Sequence, residues 1–188
     1  MKEAPTRVAV LDACVLVQAP LRDTLLRLAE SPRLYRPLRT DEIIIETMRA
    51  LERQIGLAPS TTAYLERELR RHFRDSWITG YEPLVAKMTN DSKDRHVLAA
   101  AHGGADIIVT FNKRHFPARS TAPWKVLAIG PTTFLEDLYA TSAQIVQQRI
   151  KQQASDLGRS IEAQLDVLGK AVPWFVELIR RDLYRKGD

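Results

Sequence analysis

Apolar residues fall along the chain in two rhythms. Short apolar runs at 7–11 (RVAVL), 106–110 (DIIVT) and 126–129 (VLAI) each predict a buried strand, and 34–38 (LYRPL) a further short strand. Between them the spacing becomes helical. Leu21, Leu25 and Leu28 mark a helix over 21–30, after the Pro20 boundary. Thr40 opens a helix over 41–55; Asp41 and Glu42 sit in its first turn, where carboxylates suit the helix dipole, and Gly56 stops it. Pro59 and Ser60 open a helix over 61–75 with Leu65, Leu69 and Phe73 on one stripe. Asp91 caps a helix over 92–102 that ends at Gly103 and Gly104, and another helix runs from Thr132. Strands alternating with helices predict an α/β fold, a short parallel sheet flanked by helices. Residues 142–188 keep helical spacing, broken near Gly158 and at Pro173, and carry no strand signal. The expected organisation is an α/β domain over 1–140 and a helical C-terminal extension over 141–188.

Composition narrows the chemistry. The chain has 188 residues, 45% hydrophobic and 27% charged, enough for a core that needs no covalent staple. Its one cysteine, Cys14, excludes an intramolecular disulfide and any multi-cysteine zinc or iron–sulfur centre, and suits a reducing compartment. The N-terminal MKEAPTR holds an acid and a proline before any apolar run, and no run approaches the roughly 20 residues that span a bilayer. A cytoplasmic protein with no membrane partner is expected. The net charge of +5 is spread as +2, +1 and +2 over residues 1–80, 81–140 and 141–188, with no basic tail. A phosphate-binding face has to be assembled by folding.

Several polar residues sit where a parallel sheet places its ligands, outside the carboxyl ends of strands. Asp12 follows the first strand directly; the same position suits a turn or helix-capping aspartate. Glu46 lies among Ile43, Ile44, Ile45 and Met48, where burial requires a partner or a metal. With Glu42 four residues before and Arg49 three after, it also suits a salt-bridged surface site. Asp94 lies in the first turn of the 92–102 helix, three residues after Asp91, a spacing that fits a capping box as well as a ligand. Thr110 and Asn112 follow the DIIVT strand, and Asp106 opens it at the wrong end for a site. The four histidines make no H-E-x-x-H pattern, no phosphate-cradling glycine loop or nucleophile elbow is present, and Cys14 reads as a small apolar packing residue. Carboxylates without thiolate or imidazole suit Mg²⁺ or Mn²⁺ and metal-assisted phosphodiester cleavage.

Four segments in order, VAVLDACVLV, DEIIIETMRAL, NDSKDRHVLAAA and GADIIVTFNKRHFP, resemble the successive motifs of PIN domains, most closely the branch that includes VapC-type toxins of toxin–antitoxin pairs. The likeness covers residues 7–139. It implies a PIN-like three-layer α/β fold and a metal-dependent ribonuclease using Mg²⁺ or Mn²⁺. By position it makes Asp12, Glu46 and Asp94 the acidic metal cluster, with Asn112 where many relatives have a fourth aspartate. Asp91 would add charge and Thr110 would orient water or substrate. Arg95, Lys113 and Arg114 flank the site as phosphate contacts. Cys14 stands where relatives often carry an asparagine that supports the first aspartate by a hydrogen bond. The resemblance also implies a VapB-type antitoxin and homodimerisation. A PIN-like fold serving as a non-catalytic RNA- or protein-binding module is the competing reading, and the extension from 142 has its Trp174–Phe175 and Leu178–Ile179 faces to bury.

Overall fold

The computed structural model describes residues 7–184. Residues 1–6, on which the reading of the N-terminus rests, and 185–188 lie outside the described residues. The chain forms two compact units: the segment up to Val17 with Arg36–Ile129, and Gln18–Tyr35 with the segment from Gly130 onward.

The first unit is built on a four-stranded sheet of β1 (Arg7–Leu11), β2 (Tyr35–Leu38), β3 (Ile107–Val109) and β4 (Leu127–Ile129), in the order β2-β1-β3-β4. β1 and β3 are parallel, with Ala9 opposite Ile107 and Leu11 opposite Val109. β3 and β4 are parallel as well, with Val109 opposite Ile129. Past Arg7 the central strands are apolar because they are covered: Ala9, Val10, Leu11, Ile108 and Val109 are buried. The cover on β1 and β3 comes from α6 (Arg95–His102), which buries every residue from His96 to Ala101. Its run of three alanines lets the helix backbone approach the sheet. This is the α/β class expected from the alternation of strands and helices.

Helix α1 (Ala13–Leu16) follows β1 and packs on α3 (Asp41–Ala50). Thr40 starts α3 by accepting from the Ile43 N–H at 3.2 Å, and Ile43, Ile44, Thr47 and Met48 form its buried face. The expected continuous helix over 41–55 is instead α3 followed by a wider π-helical turn over Leu51–Ile55. Gly56, at φ +79°, closes it by sending its N–H back to the Leu51 carbonyl. The helix expected over 61–75 is α4 (Pro59–His72). The single helix expected over 92–102 is a 3₁₀ turn over Ser92–Asp94 leading into α6. Asp91 causes the break: its side chain takes the Lys93 N–H at 3.1 Å and its carbonyl takes the Asp94 N–H at 3.0 Å. Short helices α5 (Glu82–Val85) and α7 (Ala118–Thr121) complete this unit.

The second unit is helical: α2 (Ala19–Leu28), α8 (Pro131–Thr141), α9 (Ala143–Asp156), α10 (Ile161–Gly169) and α11 (Pro173–Tyr184). Ser142 and Ser160 cap α9 and α10, and prolines open α8 and α11. The breaks fall at Gly158 and before Pro173, as the sequence indicates. The boundary expected near 140 lies between α8 and α9, inside this unit. The reason is packing: α9 lies against both α2 and α8, and α8 against α11. Leu21, Leu25, Phe134, Leu138, Ile150, Leu165 and Phe175 are fully buried, whereas Trp174 is 75% exposed. Among the described residues, no helix is long and apolar enough to cross a membrane.

Candidate active site

The sheet delivers Asp12 to the carboxyl end of β1, and its N–H still donates to the Val109 carbonyl at 3.1 Å. Only 4% of Asp12 is exposed. Its side chain makes no capping bond to α1. Instead, its Oδ2 accepts from the Thr110 hydroxyl at 2.6 Å and from the Cys14 thiol at 3.2 Å. Thr110 Oγ1 in turn accepts the Asn112 N–H at 2.9 Å, and the Phe111 N–H meets Cys14 Sγ at 3.4 Å. A carboxylate this buried is costly unless it is hydrogen-bonded, and these two donors satisfy it. Cys14 is therefore not the inert packing residue its sequence suggested. Burial, reinforced by the Asp12 charge, pushes its thiol up to about 12, so it stays protonated and donates. It supplies the kind of support for Asp12 that the missing asparagine would give.

Asp94 stands at the start of α6 but makes no capping bond. The capping box allowed by the sequence does not form, because Asp91 alone takes the cap and Asp94 turns to His115. Asp94 Oδ2 lies 2.6 Å from His115 Nδ1. Its carboxyl is held above the ordinary range, chiefly by burial, with the Asp12 and Asp91 charges adding to the rise and His115 opposing it. The turn 110–115 is thus fastened at both ends: Thr110 holds Asp12 and His115 holds Asp94. His115 is itself fixed by its N–H on the Asn112 carbonyl at 2.8 Å and by its carbonyl on the Asp91 N–H at 3.2 Å.

Glu46 projects from α3 toward α6. Its partner is His96, whose Nε2 lies 3.2 Å from Glu46 Oε1, rather than the Arg49 that sequence spacing allowed. Glu42 Oε2 lies 3.6 Å from His96 Nδ1 and accepts from the Tyr81 hydroxyl at 3.3 Å. Burial works against a charged imidazole at His96, but Glu46, Glu42 and Asp94 outweigh it and leave the pKa raised. Of the cations expected at the site, Arg95 is half-buried and directs Nε to the Asn90 carbonyl at 3.4 Å. Lys113 and Arg114 are exposed, with Arg114 Nε 3.3 Å from His115 Nε2.

The predicted residues therefore assemble as three neighbouring groups. Asp12 joins Thr110 and the Asn112 backbone, Asp94 joins Asp91, and Glu46 joins Glu42. Among the described residues, two donor sets are tight enough for one ion, Asp91–Asp94–His115 and Glu42–Glu46–His96, each with ligand atoms within 4.8 Å of one another. Asp12, Glu46 and Asp94 do not form one such set. They communicate electrostatically, Asp12 acting on Asp94 and Asp94 on His96. Sequence reasoning read Cys14 as packing and gave no site role to Glu42, His96 and His115. Their only signal was proximity in the chain to the acids, since metal-motif spacings do not describe histidines that serve carboxylates. The donor chemistry fits a hard divalent cation. Each set joins two carboxylates to one imidazole, where the sequence led to carboxylates alone; the carboxylate oxygens suit such an ion, and the one thiol is held protonated.

No protein-family model matches the chain. Over 113 residues it is 40% identical to a Mycobacterium tuberculosis protein named "Putative ribonuclease VapC50", an alignment covering 58% of this chain and 66% of that protein.

Proposed function

The chain belongs to the VapC-type branch of the PIN-domain family, and on that premise we propose that it is a metal-dependent ribonuclease, the toxin of a toxin–antitoxin pair acting in the cytoplasm. The observation that carries this reading is the pairing of Asp12 and Asp94. Each carboxylate is fixed by a short hydrogen bond, and the Asp12 charge helps raise the Asp94 carboxyl. Mg²⁺ or Mn²⁺ would be held not by Asp12, Asp94 and Glu46 around one ion but by neighbouring carboxylate pairs, Asp94 with Asp91 and Glu46 with Glu42, with Asp12 adding charge. When bound, such an ion acidifies an attacking water and neutralises charge building on the scissile phosphate and the leaving oxygen.

The chain's own residues do the rest. Thr110 and Cys14 keep the Asp12 carboxylate in one orientation through bonds to Oδ2. His115 does the same for Asp94, while His96 stands 3.2 Å from Glu46 as an ion-pair partner. Asn112, its backbone N–H held by Thr110, stands as a neutral residue where a fourth acid would add charge. Lys113, Arg114 and Arg95 stand ready to hold RNA phosphates. Hydrolysis in this frame leaves a 5′-phosphate and a 3′-hydroxyl. A VapB-type antitoxin and a homodimer belong to the same reading.

Total cellular RNA incubated with the purified full-length chain tests it. Discrete cuts that require Mg²⁺ or Mn²⁺, stop with EDTA and disappear in Asp12→Asn and Asp94→Asn are expected. Equal background from wild type and both variants overturns the ribonuclease and favours an RNA- or protein-binding module.

A further inference from the structure

A surface cleft of about 230 Å³ opens beside Glu46, lined by Glu46, Arg49, Ala50, Arg53 and Gln54. These positions form one face of α3 and the π-helical turn that prolongs it. Arg49 and Arg53 are exposed, and neither is held by an acid or a hydrogen bond among the described residues. The neighbouring carboxylates are already engaged. Glu46 faces His96 at 3.2 Å, Glu42 faces His96 and Tyr81, and Glu52 accepts from the Thr62 hydroxyl. Two uncommitted guanidiniums therefore outnumber the one carboxylate, Glu46, among the residues lining this cleft.

We propose that this cleft is a subsite for the RNA backbone, with Arg49 and Arg53 each taking one phosphate of the strand whose scissile bond lies at the acids. The inference rests on the ribonuclease reading and extends it to residues outside the acid cluster. Four residues separate the arginines, about 6 Å along a helix axis, so they sit one turn apart and face different groups of an extended ligand rather than one small anion. Guanidinium forks match phosphate oxygens in planar, paired hydrogen bonds, and phosphate contacts of this kind set the register of a nucleic acid on a protein. Glu46 lines the same cleft, so a strand lying on the two arginines reaches a carboxylate of the site. Arg49 and Arg53 would then act as binding residues, distinct from the groups that perform hydrolysis.

The test is binding of a labelled single-stranded oligoribonucleotide, followed by fluorescence anisotropy over 50–300 mM KCl. The full chain carries Asp94→Asn and Mg²⁺ is present, so the strand is bound but not cut. Each phosphate contact on a single strand contributes about 0.7 to the slope of log affinity against log salt. Adding Arg49→Ala and Arg53→Ala is expected to lower that slope by about 1.4, with an unchanged thermal unfolding midpoint because both side chains are exposed. Arg49→Lys with Arg53→Lys should restore the slope. A slope unchanged by the alanine pair, with RNA still bound, overturns the subsite while leaving the ribonuclease reading in place. Failure to bind RNA at any salt concentration, together with failure to cut it, overturns both. Binding to polyglutamate that the alanine pair abolishes, with the RNA slope intact, reassigns the cleft to an acidic protein segment and overturns the proposal as well.

Discussion

At the scale of single residues, the site depends on hydroxyl and thiol donors more than on additional charge. Thr110 is fully buried, and its hydroxyl both donates to Asp12 and accepts from the Asn112 N–H. Thr110→Val keeps the volume and removes both bonds. A hydrogen bond to a charged group contributes roughly 1.5–3 kcal/mol, so urea denaturation should show a loss in that range. Cleavage should fall toward about 100-fold because the Asp12 carboxylate loses its fixed orientation. Thr110→Ser, which retains the hydroxyl, should recover most of both; equal defects in the two variants would mean that the methyl packing matters and the bond does not. Asp12, Thr110 and Asn112 were legible in the sequence because a short apolar strand reveals its own carboxyl end. Cys14 and His115 were not. The thiol became a donor only when folding set it against a buried carboxylate, and His115 reached Asp94 through a turn whose course no periodicity encodes.

At the scale of elements, α3 carries a charge cluster at its start that sequence pattern could place but not partner. Asp41, in the first turn, accepts from Trp77 Nε1 at 2.7 Å and from Arg70 Nη2 at 2.8 Å, joining α3 to α4 and to the segment after it. The Arg70 and Trp77 hydrogen bonds hold its carboxyl below the ordinary range. A folded-state pKa below the unfolded value of about 3.9 contributes stability that is fully present above that value and fades as pH falls through the folded value. Wild type should therefore be more stable than Asp41→Asn at pH 6, and the gap should close in acid below about pH 3.9. High salt should narrow it, because the pair is exposed. Urea denaturation at several pH values reads this directly, and a gap that widens in acid would contradict the sign. The register of α3 was predictable from Thr40 and the apolar face. Its widening into a π turn was not, because the apolar and polar pattern of LERQI is the same for either helix, yet that turn carries Arg53 and Gln54 into the cleft beside Glu46.

At the scale of the molecule, the division of labour follows chain membership. Every candidate site residue, from Asp12 to Arg114, belongs to the unit containing the sheet, whereas α2 and α8 to α11 form the other. The helical spacing of 142–179 was plain in the sequence. The recruitment of Leu21, Leu25 and Phe134 into the same core was not, because amphipathic helices near a sheet carry no mark of which partner they bury against. Phe175 lies at the centre of that core, fully buried and with its ring edge-on to Tyr139 at a centroid distance of 6.3 Å. Truncating such a ring removes both its burial and its packing, a loss of about 3–5 kcal/mol. Phe175→Ala should therefore lower the urea midpoint sharply. Below the onset of unfolding, its RNA cleavage per folded molecule should equal that of wild type, since no acid, supporting donor or cation of the candidate site lies in the second unit. A fall in specific activity under conditions where circular dichroism shows the variant fully folded would mean that the helical unit takes part in the reaction, and would move the search for RNA contacts to its surface.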